Sequence, residues 1–264
     1  MMVSSNQPIP ELTLHAMPAL YAEKPWEGVS GRYSFLSTGR VIDALHAEGI
    51  DPYMVKVAST RIDAKYGFTK HLIRFRPRTS YEIQDRTIGG VHPEIVLTNS
   101  HDRGSSFIAE LGLFRLVCSN GLVVASGMMG KYRVRHTGTV IDNVLDAVHG
   151  LIEEFPALSD RVRQFQSIQL TQEQREHFAA MAVGLRWEAD KVPFHSSRLL
   201  STKRYADNAS DLWTTYNVIQ ENLTRGQNAS GYGRQFVRST REIKAIDSDL
   251  AINRGLWQLA ESYA

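Results

Sequence analysis

Residues 70–78 read Lys70-His71-Leu72-Ile73-Arg74-Phe75-Arg76-Pro77-Arg78. A strand repeats every two residues, so Lys70, Leu72, Arg74, Arg76 and Arg78 share one face. His71, Ile73, Phe75 and Pro77 share the other. One face is charged and the other mostly apolar. Two readings follow: a solvated outer face on a half-buried strand, or a surface that tracks an anionic polymer. Just upstream, Tyr53–Arg61 also alternates, and Asp63-Ala64-Lys65-Tyr66-Gly67 supplies turn chemistry between the two runs. Tyr53–Arg61 and Phe68–Phe75 are predicted to pair as a basic β-hairpin.

Working outward, Glu94–Thr98 and Lys131–Arg135 read as further strands. The apolar run Phe107–Val124 is either a buried strand pair turning at Asn120-Gly121 or a buried helix ending at Gly121, and periodicity does not choose between them. Ahead of the hairpin, Thr38 is a candidate N-cap for a short helix with Val41, Ile42 and Leu45 on one face and Gly49 as its stop. Beyond residue 139 the period changes. Val140, Ile141, Val144, Leu145, Val148, Leu151 and Ile152 recur at three and four, which predicts an amphipathic helix ending before Pro156. Thr171 and Gln174 form a capping-box pattern for a helix to about Glu188. Ser210–Arg225, closed by Gly226, and Thr240–Tyr263 complete the helical half. The expected class is α+β: an N-terminal mixed sheet with a basic hairpin and short helices, followed by an all-helical C-terminal half. The expected divisions are a flexible arm over residues 1–32, a core domain over 33–156 and a helical region over 157–264.

The chain has 264 residues, enough for one large domain or two modest ones. Its 30 basic and 28 acidic residues nearly cancel, so any nucleic-acid signal must lie in where the charges sit. The single cysteine, Cys118, excludes an intrachain disulfide and a cysteine-based zinc cage, and its apolar neighbours make it a core residue. The N-terminal sequence lacks the pattern of a secretory signal, and no apolar run is long enough to span a bilayer. The expectation is a cytoplasmic protein with no membrane contact.

Asn99-Ser100-His101-Asp102-Arg103-Gly104-Ser105-Ser106 follows a predicted strand, where catalytic groups often lie. A serine, a histidine and an aspartate adjacent in sequence are not a triad, and His101 with Asp102 is an incomplete metal-ligand set. The bland reading is a turn whose polar side chains satisfy backbone donors. The other histidines show no ligand spacing, and the glycine-rich stretch at 225–234 lacks the Lys-Ser/Thr of a phosphate-binding loop. Charge is more informative. Eight basic residues lie between Lys56 and Arg86, opposed by Asp63, Glu82 and Asp85. Lys131, Arg133 and Arg135 repeat the one-faced pattern, and Arg225, Arg234, Arg238, Arg241 and Lys244 form a third cluster. Such clusters suit a groove along a phosphate backbone, with Tyr66, Phe68 and Tyr132 as stacking candidates. The candidate binding residues are therefore Lys56, Lys70, Arg74, Arg76, Arg78, Lys131, Arg133 and Arg135.

The stretch at 99–106, then Phe114-Arg-Leu-Val-Cys-Ser-Asn-Gly-Leu122, then Val134-Arg-His-Thr137 before a helix resemble one family. So do Asp211-Leu-Trp-Thr-Thr-Tyr-Asn217 with Glu221-Asn222, and Ile246-Asp247, Asp249, Asn253-Arg254 and Leu256-Trp257. It is the phage/plasmid-like family of unknown function met in prophages, plasmids and phage genomes, and the resemblance spans residues 33–260. The resemblance implies a role in mobile-element DNA metabolism, near recombination and anti-restriction functions, and supplies no catalytic residues. The layout is also similar to that of phage single-strand annealing proteins of the Redβ and Erf types, an architectural likeness that does not fix function. The expectation is a non-catalytic protein that binds single-stranded DNA as a homo-oligomer, promotes annealing or recombination, and needs no metal, nucleotide or other cofactor. A host recombination or defence protein is a possible partner. The alternatives are a protein-binding factor that counters a host defence enzyme and a metal-dependent nuclease centred on His101 and Asp102.

Overall fold

The computed structural model describes residues 1–27, 35–80, 91–102, 104–115, 120–123, 131–133, 140–226 and 239–264. The chain divides into two units. The first comprises Met1–Leu116 and Gly127–Pro156, the second Val117–Ser126 and Ala157–Ala264.

The first unit is built on an antiparallel sheet. Strands β1 (Met2–Ser4), β2 (Ile50–Val57), β3 (His71–Pro77), β4 (Val91–Asn99) and β5 (Ile108–Arg115) are neighbours in that order. The hairpin predicted from Tyr53–Arg61 and Phe68–Phe75 is present, with Ile73 opposite Val55 across β2 and opposite Leu97 across β4. The run at 108–115 is a strand, which resolves the helix-or-strand ambiguity. Strand β6 (Asn120–Val123), in the second unit, already includes Asn120 and Gly121, so these two residues are not the turn between the strands. Strand β7 (Lys131–Arg133) pairs with β5, setting Tyr132 opposite Ala109.

Period two assigns the faces. His71, Ile73 and Phe75 share a face with Val55, Ile95, Leu97, Ala109 and Leu111. Helices α2 (Thr38–Ala47) and α3 (Val140–Glu153) cover that face. Full burial of side chains such as Ile73 and Phe75 contributes about 1.5–3 kcal/mol each. Gly49, with φ of +77°, ends α2 as the sequence predicts. Thr38 is not the N-cap, however. Ser37 holds that position, Thr38 is the first helical residue, and its hydroxyl points to the sheet.

Residues 1–27 do not form a loose arm. Strand β1 extends the sheet beside β2, a short helix α1 (Glu11–His15) follows, and Ile9, Leu14, Met17, Ala19 and Leu20 are buried. Ala and Met side chains at this spacing gave only a weak periodic signal, and the strand is too short to alternate visibly. Gly39 shows how tightly the segment packs: an added Cβ would lie 2.5 Å from the Tyr21 ring.

The second unit is helical apart from β6. Helices α4 (Phe155–Ser167), α5 (Gln172–Val183), α6 (Leu212–Thr224) and α7 (Ile246–Glu261) surround an aromatic core in which Tyr216 lies between Trp213 and Trp257. Both bonds of the capping box at Thr171 and Gln174 are present. Helix α7 begins at Ile246 rather than Thr240, and α5 ends at Val183 rather than near Glu188. Among the described residues no helix is long and apolar enough to cross a membrane.

Candidate functional site

Strand β3 is central in the sheet, and every residue from His71 to Pro77 is buried. This corrects the expectation of an exposed basic face. Arg74 and Arg76 are 4% and 6% exposed. Glu94 on β4 is the reason. Its carboxylate is fully buried and accepts from Arg74 at 3.0 Å through one oxygen and from Arg76 at 2.7 Å through the other. The Arg76 guanidinium also lies 4.4 Å from the centroids of both the Tyr53 and Phe114 rings. It is held by charge pairing and by two aromatic faces at once. His92 is close by, and burial together with the Arg76 charge lowers its imidazole below its usual range. Pairing across strands is invisible to a period-two reading of one strand, because the partner is 18 residues away.

The remaining candidate cations have separate environments. Lys56 on β2 is buried, and Lys70 is half-buried at the start of β3. Arg78 donates from Nε and NH2 to Asp51 at 2.8 and 2.9 Å and leans on His46. Burial would raise the Asp51 carboxyl, but the hydrogen bonds from Arg78 and His46 hold it below its usual range. Arg133 is exposed on β7, and Lys131 begins that strand. Arg135 lies outside the described residues, as do Arg234 and Arg238 of the third cluster.

The tip of the β2–β3 hairpin faces solvent. Arg61, Ile62, Asp63 and Ala64 are exposed, and Tyr66 is 71% exposed. Gly67, with φ of +89°, provides the left-handed turn that returns the chain towards β3. Lys65 reaches inward from the tip, 4.6 Å from the Trp26 ring centroid and 3.3 Å from Asp102. Tyr132 on β7 is also exposed, at 40%.

The stretch at 99–102 is a buried hydrogen-bonded centre. Thr38 Oγ1 lies 2.8 Å from His71 Nε2, 3.3 Å from His101 Nε2 and 3.0 Å from Asn99 Nδ2. The proton placement follows from the partners. His71 Nδ1 is 3.0 Å from the Thr69 carbonyl, which only accepts, so Nδ1 donates. Burial pushes the His71 pKa down to about 4, against a raising effect of the Thr69 bond, so the ring is neutral and Nε2 accepts. The Thr38 hydroxyl therefore donates to His71 and accepts from Asn99 and His101. The arrangement pins the start of α2 to β3 and to the end of β4. Asp102 points elsewhere. Burial would raise its carboxyl, but the Gly104 amide, Lys65 and Ser100 hold it lower. His101 and Asp102 thus serve different partners, and no group of three or more potential metal ligands gathers among the described residues.

The comparisons bear on which chains share this plan. Residues 25–257 match the model of a domain of unknown function, DUF932. The chain belongs to the DUF932 family. It is 35% identical to the UPF0380 protein YafZ of Escherichia coli K12 over 256 residues, covering 96% of this chain and 90% of that protein. Against the UPF0380 protein YfjQ of the same strain the identity is 34% over the same shares. No solved structure matches the chain. The matched span of DUF932 contains the hairpin, the Thr38–His71–His101 centre, helices α4, α5 and α6, and α7 as far as Trp257.

Residues that sequence reasoning missed are chiefly the acidic and hydroxyl partners: Glu94, Asp51 and Thr38. Glu94 did carry a signal, being a carboxylate inside the apolar strand run Glu94–Thr98. A carboxylate in a strand that is otherwise apolar calls for a buried cation, and β3 supplies two, Arg74 and Arg76.

Proposed function

We propose that this DUF932 chain binds single-stranded DNA in the cytoplasm, as a homo-oligomer, in the annealing or recombination of a mobile element. The observation that carries the reading is the hairpin tip: Tyr66 stands 71% exposed on a loop that also exposes Arg61. A large, planar, exposed ring and a cation on one loop are what non-specific single-strand binders use, stacking for the base and charge for the phosphate. On β7, Arg133 adds an exposed cation, and Tyr132, on the opposite face of the strand, is 40% exposed. The contact surface in this reading is the tip and the β7 edge, with Lys70 flanking it; Arg78 lies at the opposite end of β3, paired with Asp51. Arg74 and Arg76 support the sheet beneath.

Fluorescence anisotropy of labelled single-stranded and duplex DNA at two salt concentrations tests the reading. The expected result is salt-sensitive binding that prefers the single strand. Absence of binding at low salt overturns it, and a protein partner that counters a host defence enzyme then becomes the stronger reading.

A further inference from the structure

A cavity of about 200 Å³ opens at the root of the β2–β3 hairpin. Met17, Pro18, Ala19 and Val57 give it mainly apolar walls, Tyr66 stands on its rim, and Thr69 lines it from the start of β3. Drug-sized ligands need roughly 300 Å³ or more, so this volume suits one ring system rather than an extended molecule. Thr69 is only 8% exposed, and its hydroxyl holds no hydrogen bond among the described residues; only its carbonyl is engaged, by His71. Thr69 lines the cavity, so its hydroxyl is placed to bond a ring nitrogen or carbonyl of a bound group. On the loop above the cavity Arg61 is exposed and Lys70 is half-buried, while Lys65 is paired with Asp102.

From these features we infer that the cavity receives one unstacked nucleobase. The base ring enters between Met17 and Val57, the Tyr66 ring closes over its open face, and Thr69 bonds its polar edge. Its phosphate stays outside among the basic residues of the tip. The inference rests on the single-strand reading and makes it specific: the strand is gripped by a base as well as along its backbone. The hydroxyl's capacity both to donate and to accept makes the pocket tolerant of base identity.

The test uses full-length protein and two labelled probes, a twelve-residue oligothymidylate and an abasic strand of equal length and charge. Wild-type protein is expected to bind the oligothymidylate about tenfold more tightly, the scale of one stacked base. Ala58→Leu, which adds bulk at the cavity wall, and Thr69→Val, which keeps shape and removes the hydroxyl, are the variants. Both are expected to shrink the tenfold ratio while affinity for the abasic strand stays unchanged. An unchanged ratio in both variants overturns the pocket and leaves the single-strand reading standing. Failure of the wild type to bind either probe overturns both. If Ala58→Leu does not fold, Thr69→Val alone decides, and photocrosslinking of a 5-iodouracil strand to peptides carrying Met17 or Tyr66 supplies the independent readout. Crosslinks confined to other peptides count against the pocket.

Discussion

Glu94 serves two guanidinium groups with one carboxylate, and all three side chains are removed from water. Such a group is far more costly to break than to replace whole. Glu94→Gln is expected to destabilise the first unit by about 3–5 kcal/mol, read as a lower urea midpoint. For the same reason a charge reversal at Arg74 or Arg76 would place a second carboxylate beside Glu94, and any loss of binding would report unfolding. His71 gives a prediction in pH. Its folded pKa is about 4, below the ordinary 6.5, so between those values the unfolded chain binds more protons than the folded one. Its contribution is therefore complete above pH ~6.5 and is lost as pH falls towards 4, on the order of 3 kcal/mol in all. Urea midpoints of wild type and His71→Gln at pH 7 and pH 4.5 check this, the variant showing the smaller drop. Neither behaviour was legible from single residues. The two-residue alternation of β3 correctly separated a charged face from an apolar one, but exposure depends on what the neighbouring strand presents, and Glu94 reverses the expected outcome.

Among the elements, legibility followed locality. Helix α3 spans Val140–Glu153 because seven apolar residues recur at helical spacing, all within one segment. The capping box at Thr171 is likewise local, and both of its hydrogen bonds form, at 2.8 and 3.2 Å. Thr171→Ala is expected to cost about 1 kcal/mol, seen as a modest fall in Tm. Gly226 ends α6 with φ of +78°, and an added Cβ would collide with the Thr240 carbonyl backbone. Gly226→Ala is therefore expected to lower Tm more than Thr171→Ala does, since both strain and collision act. Strand β1 and the buried residues up to Leu20 were illegible for the opposite reason. Three residues carry no readable period, and β1 exists only because the edge of β2 is there to pair with it.

For the whole molecule, the α+β order of sheet first and helices after was readable from the switch in hydrophobic period near residue 140. The assignment of Val117–Ser126 to the second unit was not, because it depends on packing between segments distant in sequence. The near-zero net charge gave no direct pointer to nucleic acid, and burial of Arg74 and Arg76 removes two of the cations on which the basic-face argument leaned. What remains for a polyanion is local: the exposed tip around Tyr66 and the β7 edge around Tyr132 and Arg133. The measurement that tests this most directly compares wild type with the double variant Arg61→Glu, Tyr66→Ala on labelled single-stranded DNA at low salt, with urea midpoints taken alongside. Both residues are exposed, so the midpoint is expected to hold while affinity falls at least about tenfold. An unchanged affinity with an unchanged midpoint would contradict the assignment of the hairpin tip as the DNA-binding surface.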